Sequence, residues 1–81
     1  MRQEILQLKG RIAELRQTLQ QKELEASGLI IQIRSLADPY ENDMTRIKSD
    51  QLSIAARLLN ECVTQIKTTM EQLKRLEADL G

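Results

Sequence analysis

Leu36-Ala37-Asp38-Pro39-Tyr40-Glu41 is the stretch whose reading decides the fold, because it reads as one helix stopping and another starting. The residue before a proline is disfavoured in helical geometry, which ends the upstream helix near Ala37. Proline suits the first position of a new helix, where its missing N–H is no loss. Asp38 then stands at an N-cap, and Glu41 three residues later completes a capping box. Asp38, Pro39, Tyr40 and Glu41 are therefore read as a tight turn. One helix is expected over residues 2–37, a turn at 38–39 and a second helix over 40–80. The rival reading is a proline kink in one long helix.

Upstream of the turn, apolar residues recur in steps of four and three. Ile5, Ile12, Leu19, Ala26 and Ile33 form one column; Leu8, Leu15, Leu29 and Leu36 form the other, interrupted by Lys22. This a/d heptad pattern marks a helix that pairs along a seam. Gly10 and Gly28 each weaken it, since glycine inside a helix costs about 1 kcal/mol relative to alanine. Leu29-Ile30-Ile31-Gln32-Ile33 is β-branched enough to suggest a strand. The heptad phase runs through Gly28 unbroken, however, and a lone strand would have no partner. Continuous helix is the expectation, with a kink near 27–28 as the alternative.

Downstream, a seam reads Met44, Ile47, Gln51, Ile54, Leu58, then a four-residue step to Cys62, and on through Ile66, Thr69 or Met70, Leu73, Leu76 and Leu80. The extra residue before Cys62 is a stutter, which locally relaxes a supercoil. Arg46–Asp50, Arg57–Glu61, Lys67–Glu71, Glu71–Arg75 and Arg75–Asp79 all fall at i,i+4, a pattern of a solvated outer face.

Closing the chain at Pro39 opposes positions whose numbers add to about 77 or 78. Ile33 then meets Met44, Leu19 meets Leu58, Leu15 meets Cys62, Ile12 meets Ile66 and Ile5 meets Leu73, with Ala26 opposite Gln51 and Lys22 just beyond. The fold class expected is all-α: one antiparallel helical hairpin, a two-helix coiled coil covering 1–81. Lys22 either fixes the register as a polar layer or, as lysine commonly does, lays its stem along the seam and keeps its ammonium in water.

One seam does not use all the apolar residues. Leu52, Ile54, Ala55, Leu58, Leu59, Cys62, Val63 and Ile66 form an arc wider than one helix contact requires, and Leu6, Leu24, Ile30 and Ile31 lie outside the first helix's columns. So wide a face is normally covered on more than one side. Those eight residues are the candidate interface. The partner is a second hairpin, giving a C2 four-helix bundle, or a helical segment of another protein.

Composition agrees with an assembling helical module. Tyr40 is the only aromatic and Cys62 the only cysteine among 81 residues, so neither aromatic anchors nor an internal disulfide can support a small globule. Twelve basic and twelve acidic side chains cancel. Residues 1–38 carry six and five of them, and residues 39–81 six and seven, so neither half is a basic arm for nucleic acid or anionic lipid. No segment approaches the ~20 apolar residues of a membrane span, and the longest apolar run is three residues, as in Leu29-Ile30-Ile31. Met1-Arg2-Gln3-Glu4 leads into mixed charge instead of a signal-peptide core, and the expected location is cytoplasmic.

Chemistry-bearing motifs are sparse. The sequence has no histidine, hence no triad of the Ser–His–Asp type, and no glycine-rich phosphate loop. Asp38, Glu41 and Asp43 cluster near the turn, but their spacing is not that of a calcium loop and helix capping explains them better. Cys62 reads as a buried small hydrophobe, with an intermolecular disulfide as the sharper alternative. Tyr40 reads as packing over the turn against Leu36 and Met44, or as a recognition anchor. No catalytic residue, metal, cofactor, small-molecule substrate or membrane contact is expected. The function expected is protein–protein interaction or oligomerisation, as an adaptor or scaffold. The alternative is an arm touching nucleic acid through Lys9, Arg11 and Arg16, against which Glu4 and Glu14 interleave and no aromatic is at hand to stack on bases.

Overall fold

The computed structural model describes residues 2–81, and they form an antiparallel helical hairpin. Helix α1 spans Arg2–Ala37 and helix α2 spans Ser49–Leu80. The two lie side by side in a rod of 64 × 16 × 14 Å. No strand occurs among the described residues, and α1 is helical through Gly28 without a break.

The first helix buries the seam its sequence announces. Ile12 and Leu15 are buried, and Leu8, Leu19, Lys22, Ala26, Leu29, Ile33 and Leu36 are half-buried, alternating by four and three residues. Ile5 is the exception at the open end of the rod, where it is exposed.

The second helix departs from expectation in both start and phase. It begins at Ser49, about nine residues later than Tyr40, and the expected turn at 38–39 is instead a segment of 11 residues, 38–48. Two single-turn 3₁₀ helices fill this segment, Tyr40–Asn42 and Met44–Arg46. The Asp38–Glu41 capping box does not form: Pro39 is extended (φ −74°, ψ 133°) and Glu41 is left-handed (φ 54°). The cause is local competition. The Asp43 carboxylate accepts from the Thr45 amide at 3.0 Å and from its hydroxyl at 2.6 Å, capping a turn where the helix would have continued. Asn42 beside it is also left-handed (φ 61°), a conformation asparagine tolerates better than most residues. Helix α2 then starts with Asp50 in its first turn, where a carboxylate complements the helix dipole.

A longer connection moves the pairing. Lys22 lies across from Cys62, Ile12 and Leu15 pack with Leu73, and Arg16 reaches Glu77, so opposed numbers add to roughly 85 or more. The pairings Ile33–Met44, Leu19–Leu58, Leu15–Cys62, Ile12–Ile66 and Ile5–Leu73 are therefore replaced. The seam of α2 changes as well. It runs Leu52, Ala55, Leu59, Cys62, Ile66, Thr69, Leu73 and Leu76, an unbroken three–four alternation with no stutter. Ile54 and Leu58, expected on the seam, face outward at 52% and 45% exposure. Small Ala55 takes the inner position that bulkier Ile54 seemed to claim. Thr69 takes the next contested place, donating its hydroxyl to the Gln65 carbonyl at 2.8 Å, while Met70 stays outside.

Packing is thin. Ile12, Leu15 and Leu73 form the one buried cluster among the described residues, with Leu8, Leu19 and Leu76 against it. Among the described residues no large side chain is completely buried. Among the described residues four ion pairs close, Arg11–Glu14, Arg16–Glu77, Lys22–Glu25 and Arg46–Asp43. The five expected along α2 are not among them, and Arg46 turns to Asp43 instead of Asp50. Exposed pairs of this kind contribute little, so the apolar seam carries the fold.

Candidate functional site

The eight residues of the expected interface split between two faces of α2. Ala55 and Cys62 are buried on the seam, with Leu52, Leu59 and Ile66 half-buried beside them, so these five belong to the hairpin's own interior stripe. Val63 is half-buried at its flank. Ile54 and Leu58 alone point outward. The arc read as one wide interface is thus mostly the intramolecular seam, and its outward part is narrower.

That outward part borders a shallow groove along one side of the rod. Lys22, Glu25, Gly28 and Gln32 of α1 and Leu58, Glu61 and Gln65 of α2 line it, enclosing about 480 Å³, with Leu29 and Cys62 at its floor. Through Gln32 and Leu58 it continues toward Ile54 and Gln51, adding about 230 Å³. Gly28 has neither a positive φ nor a neighbour within 4 Å of where a Cβ would stand. The hairpin alone gives no steric reason for glycine there.

Lys22 follows the simpler of its two expected roles. Its stem runs along the seam, its side chain is 29% exposed, and its ammonium lies 3.5 Å from the Glu25 carboxylate at the groove's rim. What crosses the seam at this level is its backbone carbonyl, which accepts from the Cys62 thiol at 3.1 Å. That bond pairs the buried thiol and matches its reading as a small interior side chain.

The tip of the rod is the second exposed feature. Tyr40 and Met44 are 63% and 67% exposed, so Tyr40 does not pack over the turn. Its ring instead carries the Arg46 guanidinium 5.3 Å from the centroid, a cation–π contact. Asp43 is held by Thr45 on one oxygen and lies 3.5 Å from Arg46 Nε on the other. The hydrogen bonds from the Thr45 hydroxyl and amide lower its pKa below the ordinary 3.8. A carboxyl lowered in this way supports the turn above pH 3.8 and loses that support only as pH falls through its own, lower value. The Thr45 amide resonance is expected to titrate with a midpoint below 3.8, and Asp43→Asn to abolish the titration; a midpoint at or above 3.8 contradicts the turn. Asp43-x-Thr45 is the signal in the sequence that marks this turn, and the more conspicuous Asp38–Glu41 spacing hides it.

No protein-family model, curated protein or solved structure matches this chain. No helix is long and apolar enough to cross a membrane among the described residues. What the molecule offers is surface: Leu6, Leu24, Ile30 and Ile31 on α1, Ile54, Leu58 and Met70 on α2, and Tyr40 and Met44 at the tip all stand exposed. Lys9, Arg11 and Arg16 do not make a free basic stripe, since Arg11 lies 3.6 Å from Glu14 and Arg16 3.5 Å from Glu77.

Proposed function

We propose that the hairpin is a non-catalytic assembly module, an adaptor or scaffold element that pairs its outer helix faces with a second copy or with helices of another protein. One observation carries this reading. Among the described residues eleven large apolar side chains are exposed, whereas five apolar residues, one alanine and one cysteine among them, are fully buried and the rest of the seam is half-buried. A scattered exposed leucine is ordinary, but an excess of exposed over buried apolar groups in so thin a rod favours burial by a partner. Near-zero net charge adds no repulsion against self-association. The groove beside Ile54 and Leu58 has the elongated form that a helix fills, and its mixed Lys22, Glu25 and Glu61 rim would select among partners. A single thiol without a disulfide partner fits a reducing compartment such as the cytoplasm.

Sedimentation equilibrium at micromolar concentration tests the reading. The expected mass is a multiple of the 9.3 kDa chain, falling when Ile54 and Leu58 are both changed to glutamine. A stable, well-folded monomer that also binds no helical partner removes the argument from apolar excess.

A further inference from the structure

We propose, resting on the assembly reading above, that the outer face of α1 is a second seam. A second copy of this chain fills it, laying its own α1 antiparallel to the first about a two-fold axis.

Opposite the buried seam, α1 carries another unbroken alternation of four- and three-residue steps, from Leu6 and Gly10 through to Ser27 and Ile31. Every position on it is exposed and none is charged, over about 39 Å of helix, in a chain whose residues are 30% charged. Leu24 is the most exposed large apolar residue among the described residues, and Leu6 and Ile31 share second place with Met44. The matching outer line of α2 carries Arg57, Lys67, Glu71 and Lys74, which keep that helix's back in water. The uncharged line belongs to α1 alone.

A hollow sits on this line. Gln20, Glu23, Leu24 and Ser27 enclose about 380 Å³, and α2 contributes nothing to it. The four stand at i, i+3, i+4 and i+7, the frame that receives one side chain of a facing helix in a coiled coil.

Two-fold pairing makes the line its own complement. When opposed numbers add to about 37, Leu6 meets Ile31 of the second copy, and Ala13 enters the hollow beside Leu24. Gln17 and Gln20 meet at the axis, where each amide can both donate and accept. Gly10 meets Ser27, a layer small on both sides, with space for a methyl at position 10. The flanking charges agree. Lys9 and Glu23 join none of the four ion pairs that close among the described residues. Here Lys9 and Arg16 of each copy come to Glu23 of the other. A slide of one heptad is worse in either direction. One way leaves Ile31 beyond the end of the facing helix; the other sets Leu6 against Asp38 and Glu23 against Glu23. The favoured register also overlaps Arg2–Ala37 almost end to end. Glu25, Gly28 and Gln32, which line the groove beside Leu58, lie off this line, so the groove stays open in the pair. The contact adds nothing to a lone hairpin, and Leu24 and Ile31 matter only where copies are concentrated.

Sedimentation equilibrium of the full, reduced chain from micromolar to millimolar concentration is the first measurement. Leu24→Gln with Ile31→Gln is expected to weaken self-association at least ten-fold, because four aliphatic side chains leave the contact. Both positions are exposed in the hairpin, and circular dichroism checks that helix is retained. The second measurement reads direction. Ala13→Cys and Leu24→Cys are each placed in a Cys62→Ala chain, mixed in equal amounts and oxidised, and the linked dimers are sorted by intact mass. A disulfide needs Cα atoms within about 7 Å, so the mixed dimer is expected to exceed each like dimer roughly ten-fold, against about two-fold for random pairing. The excess is expected to persist when Ile54→Gln and Leu58→Gln are added. Like dimers in excess, or the ratio of random pairing, overturn the proposal. So does a native mass that Leu24→Gln with Ile31→Gln leaves unchanged, which returns assembly to the groove side. A native chain that stays monomeric overturns it too, and one that also binds no helical partner overturns the assembly reading with it.

Discussion

Leu73→Ala is expected to lower the stability of the hairpin by about 2–3 kcal/mol, among the largest effects of a single truncation. Leu73 is the member of α2 that joins Ile12 and Leu15 in the buried cluster, and Leu76 packs beside it. Truncating a buried leucine removes transfer free energy and leaves a void that the neighbours fill only in part. The rod is thin, so some collapse onto the void is available, which places the effect in the lower half of the usual range. Small domains hold little in reserve, and a loss of this size is a large fraction of the total. Urea unfolding followed by far-ultraviolet circular dichroism, at one fixed protomer concentration, measures it. Leu24→Ala is the matched control. Leu24 is 74% exposed, and its truncation is expected to change stability by no more than about 0.5 kcal/mol. Equal effects at the two sites would mean that the buried cluster does not hold the hairpin together.

The contrast between those two leucines marks where the sequence was a good guide. On α1, isoleucine and leucine fill nearly every inner position and charged or amide side chains most outer ones, so one phase dominates and burial follows it. On α2, periodicity admits two phases. Ranking positions by hydrophobicity selects Ile54 and Leu58, yet the helix buries Ala55 and Leu59, because what counts is the continuity of the stripe with Cys62 and Ile66. The stutter was an artefact of starting on the wrong stripe. Register was less legible still, since it depends on the length of the connection. Asp38-Pro39-Tyr40-Glu41 satisfies every rule for a helix start, and a short polar pair, Asp43 and Thr45, displaces it through hydrogen bonds of 2.6 and 3.0 Å. Those bonds involve side chains in water, where competing arrangements differ by little. The candidate surface inherited the error: five of its eight residues belong to the seam, and Gly28, which lines the groove, carried no mark in the sequence beyond its helix-weakening effect.

Glycine gives the second large expectation, and its sign is opposite. Gly10→Ala and Gly28→Ala together are expected to stabilise the hairpin by about 2 kcal/mol, about 1 kcal/mol from each. Both lie inside an unbroken helix, neither has a positive φ, and a Cβ at either position meets nothing within 4 Å. The gain therefore arises from the smaller entropy alanine loses on entering a helix, without a new contact or a clash. Eighteen residues separate the two sites, roughly 27 Å along the helix, so their effects should add. Urea unfolding of both single variants and the double, at a concentration where the chain is monomeric, checks the sum. Repeating it at rising concentration separates the sites. Gly10 is not among the residues lining the groove, whereas Gly28 is. Under the proposed assembly, a neighbouring helix seated in the groove meets the new methyl at position 28 alone, so the benefit of Gly28→Ala shrinks with concentration while that of Gly10→Ala holds. Equal and concentration-independent gains would leave the groove uncovered and move the partner to another face of the rod.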